Sequence, residues 1–172
     1  TDRDGTPQEI LSPFSSVNRD TDARAFAAVL KHLRQLDQGT HTVLMVQVEN
    51  EIGMIPTARD HSAEADRAFA AAVPAELMAY LAAHREELAP ELRATWREAG
   101  GKATGTWSEV FGPAPAGEEI FMAWHFARYA EAVTAAGKKE YPRPMFGNAA
   151  RIRRGHQPGQ HEGEGPLSGG SG

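Results

Sequence analysis

Residues 42–53 read TVLMVQVENEIG. A β-branched and apolar run, Thr42–Val48, fits a buried strand. It enters three acidic or amide groups in succession, Glu49, Asn50 and Glu51, and stops at Gly53. Alternate residues of a strand share a face. Leu44, Val46, Val48 and Asn50 make one face, apolar until its end and suited to packing under helices. Val43, Met45, Gln47, Glu49 and Glu51 make the other, which turns polar from Gln47 onward. A polar column at the C-terminal end of a strand lies where parallel α/β sheets place their ligand sites. In an extended strand Glu49 and Glu51 would sit about 6–7 Å apart at Cα, given a rise of about 3.3 Å per residue. Ionised carboxylates that close repel, and a pair kept close often serves a site. The plainer reading is a solvated strand end with two surface glutamates.

The flanking sequence alternates helix and strand signals. Residues 1–19 hold Gly5, Pro7 and Pro13 and read as an irregular approach, with a short strand expected near Ile10 and Leu11. Residues 20–37 predict an amphipathic helix capped by Asp20 or Thr21, with Phe26, Leu30, Leu33 and Leu36 near one face and Gly39 as its stop. Residues 54–117 form a long insert. It predicts helices over Ser62–Ala72, from Pro74 to about Leu88, and from Pro90 to Glu98, the prolines standing at first turns. GGKATGTWSEVFGPAPAG, 100–117, reads as a loop with apolar anchors Trp107, Val110 and Phe111. Glu118–Ala136 predicts a strong helix: Glu118 and Glu119 suit its N-terminus, Ala123, Ala127, Ala130 and Val133 form a small-residue face, and Gly137 ends it. Pro144–Ala149 reads as a second core strand, weakened by Gly147.

The last 22 residues, 151–172, differ. Arg151, Arg153 and Arg154 precede a glycine-rich run ending in SGGSG, which reads as a flexible, linker-like tail. The domain is therefore expected to be residues 1–150. His156, His161 and Glu162 in that tail lack any specific metal-ligand spacing. No metal and no cofactor is expected. His125 and Trp124 read as packed helix residues.

Composition narrows the classes. The 172 residues are 41% hydrophobic, enough for a core, and carry a formal net charge of -5. That charge argues against nucleic acid and against an anionic membrane surface. There is no cysteine, which removes disulfides and thiolate metal sites. No stretch approaches the roughly 20 apolar residues of a membrane span. TDRDGTPQEI lacks the basic-then-apolar pattern of a signal segment, so a cytoplasmic or periplasmic bacterial location is expected.

VLMVQVENEIG, 43–53, resembles the strand-4 signature of glycoside hydrolase family 35, the β-galactosidases, where QVENE precedes an aromatic or apolar residue and Gly. The resemblance extends through the helix before the strand, TWSEVFG, EEIFMAWHFARYAEAV and PMFGNAA, roughly residues 10–160. It implies a retaining (β/α)8-barrel glycosidase. Glu51 matches the general acid/base, which protonates the leaving oxygen and later deprotonates the attacking water. Asn50 matches the amide on the sugar 2-hydroxyl. Glu49 matches a position beside the sugar pocket and is a candidate second catalytic carboxyl. Asn148 would add a polar group to the same rim, Trp107 a stacking platform (or an anchor for its loop), and Glu109 a further carboxyl.

The strand-7 nucleophile of that clan has no counterpart here, and a closed barrel needs about 250 residues. The expected fold is therefore α/β: a partial (β/α)-barrel segment around barrel strands 4 and 5. A few parallel strands would be covered by about five helices, without a closed eight-stranded barrel. Open strand edges invite pairing, so a homo-oligomer, a dimer, is expected, or else a three-layer repacking in which the inserted helices cover the sheet. The functional expectation is a β-galactosidase-like glycoside hydrolase acting on a small carbohydrate. The alternatives are a non-catalytic carbohydrate-binding module and a purely structural fragment of a glycosidase barrel.

Overall fold

The structure, a computed structural model, describes residues 1–53 and 57–148. The element order is α1 (Ser16–Asp37), β1 (Val46–Gln47), α2 (Ala63–Ala70), α3 (Ala75–Ala83), α4 (Pro90–Glu98), α5 (Trp107–Phe111), α6 (Ala116–Glu140) and β2 (Met145–Phe146). Among the described residues the chain is mostly helical, with two short parallel strands in register Val46↔Met145 and Gln47↔Phe146 and no closed barrel. The tail 151–172, with His156, His161 and Glu162, lies outside the described residues.

Helix α1 begins before the expected Asp20 or Thr21 because the Ser15 hydroxyl already caps it, accepting from the Asn18 N–H at 3.2 Å. Leu30 is fully buried and Phe26 and Leu33 are partly so, whereas Leu36 is 67% exposed. Helix α6 is the larger correction. Gly137 does not end it; the helix runs on to Glu140, with Lys138 and Lys139 favourably placed against its C-terminal dipole. Its buried stripe is Phe121, Met122, Phe126, Tyr129, Val133 and Gly137, while Ala123 and Ala127 face solvent. Bulk, not smallness, selects the inward face, except at Gly117 and Gly137. At Gly137 a Cβ would collide with the Phe26 ring and stand 2.9 Å from Leu30 Cδ1. The absent side chain lets α6 press against α1. Arg34 closes the same seam by donating to the Glu140 carbonyl at 2.7 Å.

The strands are shorter than expected, two residues each. Thr42 and Val43 donate their N–H groups to the Asp37 carboxylate, so that backbone is committed before the ladder starts. At the other end Val48 donates to the Phe146 carbonyl at 2.8 Å, and Glu49 then turns to φ +58. Val48 is buried against Tyr129 and Val133, as the alternation requires, but Leu44 is 75% exposed. No strand forms at Ile10–Leu11; Ile10 instead packs on the core as part of an irregular segment.

The insert makes its own layer. Ser62 caps α2, α4 spans Pro90–Glu98 as expected, and α3 ends at Ala83, short of Leu88, where Glu87 N–H turns back to the His84 carbonyl. The expected loop 100–117 contains a sixth helix, α5, started by a capping box between Thr106 and Glu109. It drives Trp107, Val110 and Phe111 into the core beside Phe121, with Trp107 and Phe121 edge to face at 5.2 Å.

Gly137→Ala tests the seam. In an exposed helix this change stabilises by about 0.5–1 kcal/mol. Here we expect a loss of about 1–3 kcal/mol from overpacking, read as a lower urea midpoint at unchanged m-value.

Candidate functional site

The end of β1, the N-terminal half of α1, the middle of α6 and the N-terminal segment line a half-open cavity of about 410 Å³, within the range of small-ligand sites. Glu49, Asn50, Glu51, Ile52 and Gly53 form its floor, Asp22 comes from α1, Phe126 and Tyr129 from α6, and Ile10 and Leu11 cover it.

The floor is a turn and not the continuation of a strand. Glu49 and Glu51 stand at φ +58 and +49, in the left-handed region that L-residues other than Asn and Asp seldom enter. Strict alternation therefore stops at Val48, and the two carboxyls do not share an extended face. Left-handed glutamates are held there by their surroundings, and such strain concentrates at functional sites. Gln47 supplies the restraint: its amide lies 2.9 Å from the Glu49 carbonyl, 3.0 Å from Asn50 Oδ1 and 3.1 Å from Asn148 Oδ1. Asn148 Oδ1 also accepts from the Glu51 N–H at 3.0 Å. Asn148 thus fixes the turn from the end of β2.

Behind the floor, Tyr129 Oη donates to Asp22 Oδ2 at 2.9 Å. Glu49 is half-buried and lines the cavity together with Asp22. Burial first, and then the neighbouring Asp22 carboxyl, push Glu49 from the ordinary 4.5 up to about 7. Burial and the same Asp22 neighbour raise the Tyr129 phenol as well.

Of the residues singled out from sequence, Glu49, Asn50 and Glu51 line the cavity and Asn148 braces it. Trp107 does not reach it. The indole is 1% exposed and wedged against Phe111 and Phe121, so it anchors its loop and offers no ring face to a sugar. Glu109 is engaged elsewhere: its carboxylate accepts from the Thr106 N–H at 2.8 Å and hydroxyl at 3.0 Å, which hold its pKa down. His125 is packed between Phe14 and Phe121, and burial pushes it down to about 4. Among the described residues no cluster of three His, Cys, Asp or Glu is arranged to hold a metal, and no helix is long and apolar enough to cross a membrane.

Sequence reasoning missed Asp22 and Tyr129. A signal existed, for Asp22 precedes Phe26 and Leu30 at i, i+4 and i+8 on the packed face of α1, and Tyr129 continues the stripe of Phe126. A carboxylate on a core-facing stripe needs a partner. Compared with known proteins, the chain matches no family model and no curated protein.

Glu49 gives this site a pH signature. With its pKa raised, the folded state binds the proton more tightly than the unfolded chain. Its stability contribution is therefore intact below about pH 4.5 and declines as pH rises to about 7. Glu49→Gln keeps the size of the side chain and does not titrate. The stability of the variant relative to the parent is expected to be flat below pH 4.5, to rise between 4.5 and 7, and to level off above, as measured by urea unfolding across pH.

Proposed function

We propose that this cavity is the substrate site of a glycoside hydrolase that removes a terminal β-linked sugar, β-galactosidase-like, with Glu51 as general acid/base. The observation that carries the reading is one cavity in which Asp22, Glu49 and Glu51 converge with the amide of Asn50 and apolar groups. Hydrolysis of a glycoside calls for an acid that protonates the departing oxygen and a second carboxyl across the sugar. Glu51, exposed in the floor of the cavity, gives its proton as the C–O bond breaks and recovers one from the incoming water. The Glu49–Asp22 pair is the second carboxyl group, and Asn50 hydrogen-bonds a ring hydroxyl. The wider expectation of a barrel segment belongs to the same reading. It is supported by two successive helix–strand units, α1–β1 and α6–β2, with parallel strands. Pairing with a second copy is supported by the exposed Leu44, just before β1, and Phe146 on β2.

A second reading, sugar binding without turnover, is favoured by Glu49: a carboxyl pushed up to about 7 is only about half ionised at neutral pH, and its protonated form is no nucleophile.

Nitrophenyl β- and α-glycosides, assayed with the parent and Glu51→Gln, separate the two. Hydrolysis of a β-glycoside, reduced about 10²- to 10⁴-fold in the variant, is the expected result, the scale of a lost acid/base. Saturable sugar binding with no release in either protein supports the second reading. Neither binding nor release overturns both.

A further inference from the structure

We propose that Gln47 is a positioning residue of the cavity: its side-chain amide turns the Asn50 amide so that Asn50 meets a ligand oxygen as an N–H donor. Taking that oxygen as a sugar hydroxyl rests on the carbohydrate reading above; the orientation of the amides stands on its own geometry.

The oxygen and nitrogen of a side-chain amide are told apart by their hydrogen-bonding neighbours. Here two backbone groups, each with a single role, fix the whole set. The Glu49 carbonyl only accepts, so the Gln47 atom 2.9 Å from it is Nε2. The Glu51 N–H only donates, so the Asn148 atom 3.0 Å from it is Oδ1. The two assignments agree, because Gln47 Nε2 and Asn148 Oδ1 lie 3.1 Å apart as donor and acceptor. The Asn50 atom 3.0 Å from Gln47 Nε2 must then be its oxygen. What remains of the Asn50 amide for a ligand is Nδ2, with two N–H bonds to give.

Among the described residues that line the cavity, Asn50 alone carries a side-chain N–H. The other polar side chains there are the carboxyls of Asp22, Glu49 and Glu51 and the Tyr129 hydroxyl, which donates to Asp22. That division sets the chemistry of the ligand. A hydroxyl can accept from Asn50 and donate to a carboxyl at once. An ammonium only donates, and leaves Asn50 unmatched.

Two variants each place one carboxyl in this network, and the amide orientations give them opposite outcomes. Every contact of Gln47 Nε2 is an acceptor. Gln47→Glu therefore sets a carboxylate against the Glu49 carbonyl and Asn148 Oδ1; Asn50 can turn over to meet it, and those two cannot. Both contacts of Asn148 Oδ1 are donors, so Asn148→Asp keeps them. The titratable neighbours, Glu49 and Glu51 on the turn with Asp22 and Tyr129 from the helices, are the same in both variants.

Urea unfolding of the full chain from pH 3 to 7 reads the difference. At pH 7 the midpoint should fall in Gln47→Glu and stay near the parent's in Asn148→Asp. The new carboxyl of Gln47→Glu faces acceptors, so its folded pKa is raised and the deficit shrinks as pH falls through about 4.3. That of Asn148→Asp accepts from donors, so its folded pKa is lowered and a deficit grows as pH falls below about 3.9. Deficits that run the same way with pH, or an Asn148→Asp midpoint at pH 7 no higher than that of Gln47→Glu, overturn the proposal. For the ligand end, the Asn50 side-chain amide is followed by NMR during titration with methyl β-galactoside. Its protons should shift in the parent and in Asn148→Asp but not in Gln47→Glu; a shift retained in Gln47→Glu overturns the positioning role. Opposite pH behaviour with no sugar-induced shift in any protein upholds the amide orientation and sinks the carbohydrate reading. A sugar-induced shift with parallel pH behaviour does the reverse.

Discussion

The carboxylate of Asp37 holds the two halves of the fold in register. It is the last residue of α1 and is 4% exposed. Its Oδ1 accepts from the N–H and hydroxyl of Thr42, both at 2.6 Å, and from the Thr40 hydroxyl. Its Oδ2 accepts from the Val43 N–H, the Tyr141 hydroxyl and, at 3.4 Å, the Arg143 guanidinium. Those donors hold its carboxyl far below the usual carboxylate range, led by the hydroxyl of Thr42 and then that of Tyr141. One side chain thus ties the end of α1 to the entries of both β1 and β2. With both strands starting from one anchor, Val48 and Phe146 finish side by side and Gln47 can reach Asn148.

The second constraint is the approach of α6 to α1. Gly137 against Phe26 and Leu30 at one end, and Tyr129 against Asp22 nearer the other, define the pair of helices behind the strands. Because the contacts advance together along both helices, α1 and α6 run parallel, as the parallel strands that follow them require. The first half of α6 serves a different partner. Phe121, Met122 and Phe126 join Trp96, Trp107 and Phe111 in the larger core, and Glu118 meets the buried Arg59 at 3.4 Å. The long helix therefore joins the insert to the helix–strand units, and the cavity lies where Phe126 and Tyr129 pass behind the end of β1.

The chemistry of the cavity follows from that position. Glu49 is half-buried in a cavity lined by apolar Ile10, Ile52 and Phe126, so it retains a proton at a pH where water would have released it. The strain at Glu49 and Glu51 is sustained by amides, with Gln47 and Asn148 bonding the backbone and side chains of the turn. These amides are as much a part of the site as the acids they hold.

The sequence by itself determined the helices whose ends are chemically marked and the strand whose end carries the acids. Proline at a first turn, a hydroxyl before a helix and an apolar run into Glu49–Asn50–Glu51 are local signals, and α4, α2 and β1 sit where they point. Tertiary structure decided the rest, because the relevant energies act between residues far apart in the chain. Gly137 reads as a stop in isolation and becomes an interior contact only when Phe26 arrives. Trp107 reads as either platform or anchor until Phe121 covers it. Glu49 and Glu51 read as a strand face until Gln47 and Asn148 bend them into a turn, and Asp22 becomes part of the site only when α6 brings Tyr129 across 107 residues of sequence to meet it.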